Sequence, residues 1–185
     1  FSPRLKSAHA LFAPQFAELH IAAATAAGGA AQLAMERGVG RSDLAYLGGM
    51  LHEVGKSLGL AALASLILAD KAPRDLDPNT ITFIIEQRHV EIGVHAHQRW
   101  ELPQYLATLC ASQQLPEVPN DPAHAELHLV RVVSGLLALR VCPQPIERIQ
   151  ELVQSLSALS ITPLHARALD AGLRTRVGQV KQAVG

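Results

Sequence analysis

Aromatic side chains are scarce in this chain, at 4% of residues, and β-branched clusters are sparse, so little favours a sheet-based core. Cysteine occurs twice, at Cys110 and Cys142. The pair has neither metal-ligand spacing nor the framework of a disulfide-stapled domain, so both read as small apolar residues of a reducing compartment, and a cytoplasmic location is expected. Charge of one sign is missing as well. Sixteen Lys and Arg balance sixteen Asp and Glu, which leaves no electrostatic footprint for a phosphate backbone, and no nucleic-acid partner is expected. The apolar run from Leu58 to Ala69 is broken by Gly59 and Ser65. It is too short for the roughly 20 residues that cross a bilayer, so no membrane contact is expected. No basic start followed by an apolar stretch marks a leader, and the chain opens on Phe1 rather than Met, as a piece of a longer signalling protein would. Phosphate loops, nucleophile elbows and paired-cysteine motifs are lacking too, which removes the common P-loop, hydrolase and thiol chemistries.

What remains is a chain of alanine and leucine, residues that lose little side-chain entropy in a helix. An all-α, HD-domain-like helical bundle is the expected architecture, and 185 residues suit a single domain over 1–185. Asp77-Pro78, Asp121-Pro122 and Thr162-Pro163 each place a capping side chain before a proline whose missing N–H costs nothing at a helix start. Helices are predicted at 14–36, 43–52, 57–70, 79–88, 89–100, 103–114, 122–141, 144–158 and 163–183. Leu127, Val130, Val133, Leu137 and Val141 recur at steps of three and four, with Val132, Leu136 and Leu139 widening the apolar face. That helix is expected to be the most buried. Pro116 to Ala123 reads as a linker. The stretch from Thr162 to Val184 reads as a solvated amphipathic helix. The Gly28-Gly29 pair, inside an alanine-rich helix, is expected to permit close helix packing.

The segment that carries chemistry is Leu47-Gly48-Gly49-Met50-Leu51-His52-Glu53-Val54-Gly55-Lys56, where a helix of small and apolar residues ends on an imidazole beside a carboxylate. Such a pair suits zinc, iron, manganese or nickel, but a site needs further ligands from other helices. His20 lies thirty-two positions before His52. A second segment sets His89, Gly93, Trp100, Leu102 and Pro103 in the pattern His-x3-Gly-x6-Trp-x-Leu-Pro.

The first segment resembles the HD phosphohydrolase superfamily and its HD-GYP branch, whose signature is an early histidine, a His-Asp doublet ending the next helix, further histidines and a late aspartate. The second resembles the HDOD domains, the HD-related output domains of bacterial signalling proteins. The likeness covers roughly residues 11–141, with the N-terminal helical half of such domains expected to be absent or shortened. It implies an HD-like helical fold and, in active members, a metal-bound water that attacks a phosphate ester.

The departures from that pattern point away from catalysis. Glu53 stands where the aspartate belongs, and its extra methylene shifts the carboxylate by more than the roughly 0.2 Å tolerated at a ligand distance. Ser112, Gln113 and Gln114 replace a frequent His-His pair. The late aspartate is expected near Ser134, where Val132-Val133-Ser134-Gly135-Leu136 offers no carboxylate. The surviving candidate ligands are His20, His52, Glu53 and His89, residual positions expected to be vacant and able at most to hold a divalent transition metal. No catalytic or cofactor-binding residue is assigned, and no cofactor is expected.

Each residue has a plainer role to set beside this. His20, His52 and Glu53 can form a buried hydrogen-bonded cluster. His89 can cap a helix entry near Glu86 and Glu91, with His95 and His97 on opposite sides and exposed. Lys56, the one candidate phosphate contact, can instead complement the dipole of the helix before it. Trp100 reads as a core anchor whose truncation costs about 3–5 kcal/mol. The expectation is a non-catalytic bacterial signal-transduction domain that works through a protein partner or another domain of its own chain. Its rivals are a divergent metal-dependent phosphohydrolase acting on a nucleotide or cyclic dinucleotide, and a small-ligand module using the former catalytic cleft.

Overall fold

A computed structural model of the chain describes residues 10–112, 118, 124–141 and 144–184. Among them the regular structure is entirely helical: α1 (Ala13–Arg37), α2 (Ser42–Leu51), α3 (Val54–Leu68), α4 (Pro78–Arg99), α5 (Gln104–Ala111), α6 (Ala125–Val141), α7 (Ile146–Ala158) and α8 (Pro163–Val184). The expected all-α class is therefore observed. The Asp121-Pro122 entry and Cys142 lie outside the described residues, as does the expected linker apart from Val118.

The helix ends follow the capping chemistry read from the sequence. Asp77 accepts hydrogen bonds from the backbone N–H of Asn79 and Thr80 and opens α4 at Pro78. The Thr162 hydroxyl accepts from the His165 N–H at 3.3 Å and opens α8. Helices α3, α4 and α7 stop on residues with left-handed backbone, Asp70, Glu101 and Ser160, with φ of 55°, 53° and 52°. Each stop closes with the paired bonds of a Schellman turn, in which the two N–H groups beyond the cap reach back to the last carbonyls. For α4 these run from Glu101 N–H to Gln98 at 3.2 Å and from Leu102 N–H to His97 at 3.1 Å. The Trp-x-Leu-Pro signature is thus a helix stop, sealed by Pro103.

Two predicted helices, 79–88 and 89–100, are one continuous helix, α4. Nothing in Gln87-Arg88-His89 ends a helix, and His89 lies in its interior instead of at an entry.

The chain divides into two compact units, Phe1–His20 with Glu53–Gln113, and Ile21–His52 with Gln114–Gly185. In the first, Phe12, Leu60, Leu63, Ala64, Ile67, Ile81 and Ile85 form a buried cluster, flanked by Phe16, Leu19, Ala72 and Leu76. Helix α4 packs on both α3 and α5.

In the second unit α6 packs against α2, α7 and α8. Leu129, Val130, Val132 and Val133 are fully enclosed, but burial fades toward the C-terminal end of α6. Leu139 is exposed and Val141 is 85% exposed, so only the first half of this helix is the core expected of the whole. A side chain at Gly29 would strike Leu173 and Val133, which is the close packing expected of the Gly28-Gly29 pair. Among the described side chains of helix α8, Leu173 is the large apolar residue that is buried, while Leu164 is 73% exposed. Asp170 ties it to α6 through Arg140 at 2.6 Å.

Ser42–Leu68 is long and apolar enough, by length and composition, to match a membrane span, a longer stretch than the run first read from the sequence. Core helices pass the same test, and here the stretch is divided at His52-Glu53 into α2 and α3. Gly59, Leu60, Leu63, Ala64 and Ile67 of α3 are buried.

Candidate functional site

The His-Glu doublet occupies the joint between two helices. His52 caps the C-terminus of α2, its N–H bonded to the Gly48 carbonyl at 2.8 Å, and Glu53 is the N-cap of α3 without a side-chain cap bond. His52 is 4% exposed. Its Nδ1 lies 2.9 Å from the Gly49 carbonyl oxygen, a contact that requires Nδ1 to donate and puts the ring's lone pair on Nε2. Helix α2 can seat this residue deeply because Gly49 lies against the backbone of Ala26 and Ala27, where a Cβ would fall 2.6 Å from Ala26 C and 2.5 Å from Ala27 N.

In the other unit the centre of interest is the crossing of α3 and α4. A Cβ on Gly55 would overlap the His89 carbonyl oxygen and lie 2.8 Å from the Gly93 N. One on Gly93 would meet the Cys110 Sγ of α5 at 3.0 Å. The glycines of the two sequence signatures therefore face each other, each absent side chain making room for a neighbouring backbone.

Lys56 lies at the edge of this crossing, in the first turn of α3. Its side chain is 16% exposed, and its Nζ is 2.7 Å from Glu53 Oε1 and 2.8 Å from Glu86 Oε1. Burial disfavours the ammonium, but the two carboxylates outweigh it and hold the lysine above its ordinary pKa. A lysine at a helix N-terminus opposes the dipole. The expected complement to the preceding helix is thus replaced by a double ion pair.

His89, also 4% exposed, places Nδ1 2.9 Å from the Glu86 carbonyl oxygen and 3.7 Å from its carboxylate. Its tautomer matches that of His52, fixed by a carbonyl three residues earlier. Carbonyl-oriented imidazoles of this kind are typical of metal-ligating histidines, but the remaining donors do not follow. His20 is exposed on α1 and so is no part of a buried cluster. The Ser112 hydroxyl, 1% exposed, donates to the Leu109 carbonyl at 2.7 Å. Gln113 and Gln114 lie outside the described residues. Ser134 bonds the Arg131 carbonyl at 3.4 Å. Cys110 is a buried thiol whose pKa is pushed up to about 12, by burial first and by the Glu53 charge second, so the free thiol stays protonated at neutral pH.

Two side chains lie on the opposite side of the solvent boundary from that expected. His97 is 1% exposed, whereas Trp100 is 48% exposed at the end of α4. The stripe Ile81, Ile85, His89, Gly93 and His97, all buried, advances by four residues throughout, and the predicted break at 88/89 concealed it. Trp100 lies beyond the last turn of that stripe, so the cost of emptying a core does not apply to it.

A divalent transition metal needs at least three protein donors around one point. Among the described residues no group of three or more His, Cys, Asp or Glu side chains could hold such an ion. Glu53, the doublet's carboxylate, is already engaged by an ammonium. The described residues thus do not assemble the donor set of an active HD site.

Comparison with protein-family models gives the HDOD domain over residues 5–116, which takes in both sequence signatures and leaves α6, α7 and α8 beyond the match. Comparison with curated proteins and with solved structures gave no match. The matched region covers more than half of the chain and contains the His-Glu-Val-Gly-Lys joint, the glycine-to-backbone crossing and the Trp-x-Leu-Pro stop. The chain belongs to the HDOD domain family.

Proposed function

We propose that this domain is a non-catalytic output module of a bacterial signalling protein, acting through contacts with a protein partner or with another domain of a longer chain. The observation that carries the reading is the state of Glu53. In an active HD site the carboxylate of the doublet faces a metal and helps to lower the pKa of a bound water. Here it faces Lys56 Nζ at 2.7 Å, and the same ammonium is shared with Glu86 at 2.8 Å.

Lys56 is committed to two carboxylates, which also argues against a role in holding a substrate phosphate. A phosphate would have to displace them while facing their negative charge. Apolar side chains available for a partner include Phe83 of α4, 65% exposed, and Trp100.

The test is hydrolysis of bis-p-nitrophenyl phosphate and of a cyclic dinucleotide by the full chain, with Mn2+ or Fe2+ added and the H52A variant as control. The expected outcome is no turnover above that control. Turnover that is lost in H52A would overturn the reading.

A further inference from the structure

We infer that the outward face of α8 is a docking surface for an acidic amphipathic helix, carried by a partner protein or by another domain of a longer chain. The inference rests on the output-module reading above and deepens it by naming the chemistry of the partner. It stands on how α8 distributes its residues. The inner face carries the buried Leu173, which lies against Gly29 of α1. Leu164, Ala168, Ala171, Thr175 and Gly178, at alternating steps of four and three, are all exposed and run along the opposite side. A solvated helix ordinarily carries its charges there. Here they stand to one side of that line. Arg167, Arg174 and Lys181, all exposed, repeat every seven residues, a rise of about 10.5 Å. Asp170 is the only acidic residue in Pro163–Val184, and it is already shared by Arg140 and Arg174 at 2.6 and 2.9 Å.

The charge pattern selects the occupant. Charges at seven-residue steps beside a four-three line of uncharged residues are the layout of a helix pair, in which the flanking charges choose the partner. A second copy of α8 does not supply the opposite charge. Antiparallel pairing sets the basic flank against itself, and parallel pairing sets it against the other flank, His165, Gly172 and Gln179, which has no carboxylate. A helix with Glu or Asp at seven-residue steps supplies it. Nucleic acid would answer the charge, but it would leave Leu164, 73% exposed, and the uncharged line without a contact. The glycines agree with a close approach. Glycine weakens a helix interior, and Gly172 and Gly178 meet nothing within 4 Å in this chain. Both lie beside or on the exposed line, where small residues bring a second helix axis nearer.

In the experiment the full chain is titrated against a fluorescently labelled peptide of about three heptads, with leucine at its a and d positions and glutamate at e and g. Binding is read by anisotropy at low and high salt. The same peptide with lysine in place of glutamate, and a DNA duplex of similar length, are the comparisons. Wild type is expected to bind the acidic peptide about tenfold or more tightly than either, with affinity falling as salt rises. R167E/K181E is expected to bind it about tenfold or more weakly. A171W leaves the charge unchanged and obstructs the uncharged line, and a loss of the same order is expected. Because Arg167, Ala171 and Lys181 are exposed, the circular dichroism and melting temperature of both variants should match wild type.

No binding of the acidic peptide by wild type, binding that either variant leaves unchanged, or tighter binding of the duplex would each overturn the inference. If A171W melts well below wild type, A168W decides in its place, since Ala168 lies on the same exposed line. Loss of the docking surface would leave the output-module reading standing, whereas hydrolysis abolished in H52A would refute that reading without touching the peptide result.

Discussion

Replacing Gly55 by alanine adds one methyl group at the point where α3 touches α4. In an exposed helix the change would stabilise by about 1 kcal/mol, through lower chain entropy in the unfolded state and better helix propensity. At Gly55 the new carbon would overlap the His89 carbonyl oxygen and lie 2.7 Å from the His89 carbonyl carbon and 2.8 Å from the Gly93 N. These are backbone atoms of a continuous helix and cannot rotate away. Relief comes only from moving α3 off α4, which loosens the contact of Gly59 with Ile85 and Ile92 along the same line. Overpacking by a single methylene costs about 1–3 kcal/mol and more where nothing yields. Taking the upper part of that range and subtracting the propensity gain leaves a net loss of about 2 kcal/mol or more. For a chain of this length that is roughly 4–8 °C in melting temperature. Gly172 and Gly178 on α8 supply the control, since a Cβ at either meets nothing within 4 Å, and alanine there should raise the melting temperature slightly. Circular dichroism at 222 nm during thermal and urea unfolding of the three variants decides the matter. A G55A protein as stable as wild type, or stabilised like the α8 variants, would refute the close approach on which the reading of both signatures depends.

Glu101 closes α4 with φ of 53°, a conformation that costs an L-residue roughly 1–2 kcal/mol and glycine almost nothing. E101G should therefore stabilise the chain by up to about 1 kcal/mol after the added unfolded-state entropy of glycine is subtracted, seen as a higher urea midpoint with unchanged slope. Asp170 gives a pH dependence. Burial pushes its carboxyl up, but hydrogen bonds from Arg140 and Arg174 prevail and hold its pKa below the ordinary 3.8. A carboxylate depressed in the folded state contributes stability that is full above its unfolded pKa and is lost as pH falls through the folded value. The chain should accordingly lose stability below about pH 4, and D170N should lose less over that window than wild type. Equal slopes for the two proteins would show that the Asp170 pairs contribute nothing.

Helical class and most helix ends were legible because they depend on local chemistry. Asp77 before Pro78 and Thr162 before Pro163 each supply an oxygen to N–H groups two or three residues away, and such contacts require no knowledge of the rest of the fold. The stops at Asp70, Glu101 and Ser160 are local too, but their sequence signal is weak, since none is the glycine or asparagine that usually marks a left-handed cap. The His-Glu doublet and the His-x3-Gly-x6-Trp-x-Leu-Pro pattern led to the right family. They did not reveal what their residues do. Lys56 meets Glu86, thirty positions later in the chain, through a crossing fixed by Gly55 and Gly93, and no periodicity within either helix announces that pairing.

His97 shows how one misplaced boundary propagates. Dividing α4 at residue 88 made His89 a helix entry and left His95 and His97 as an unanchored pair in a short segment. With the helix read as continuous from Pro78 to Arg99, the four-residue step from Ile81 reaches His97 with no further assumption, and its burial follows. The same frame moves Trp100 off the buried stripe and onto the cap, where it is half exposed. The signature residues of the matched segment then fall into two kinds. His89, Gly93 and His97 belong to a packing stripe and Leu102 and Pro103 to a helix stop, roles that any protein keeping this fold would need. Glu53, Lys56 and Glu86 form an ion bridge that the helix crossing does not by itself require. The first kind is why the family could be read from the sequence, whereas the ion bridge of the second joins residues thirty positions apart and could be seen only in the structure.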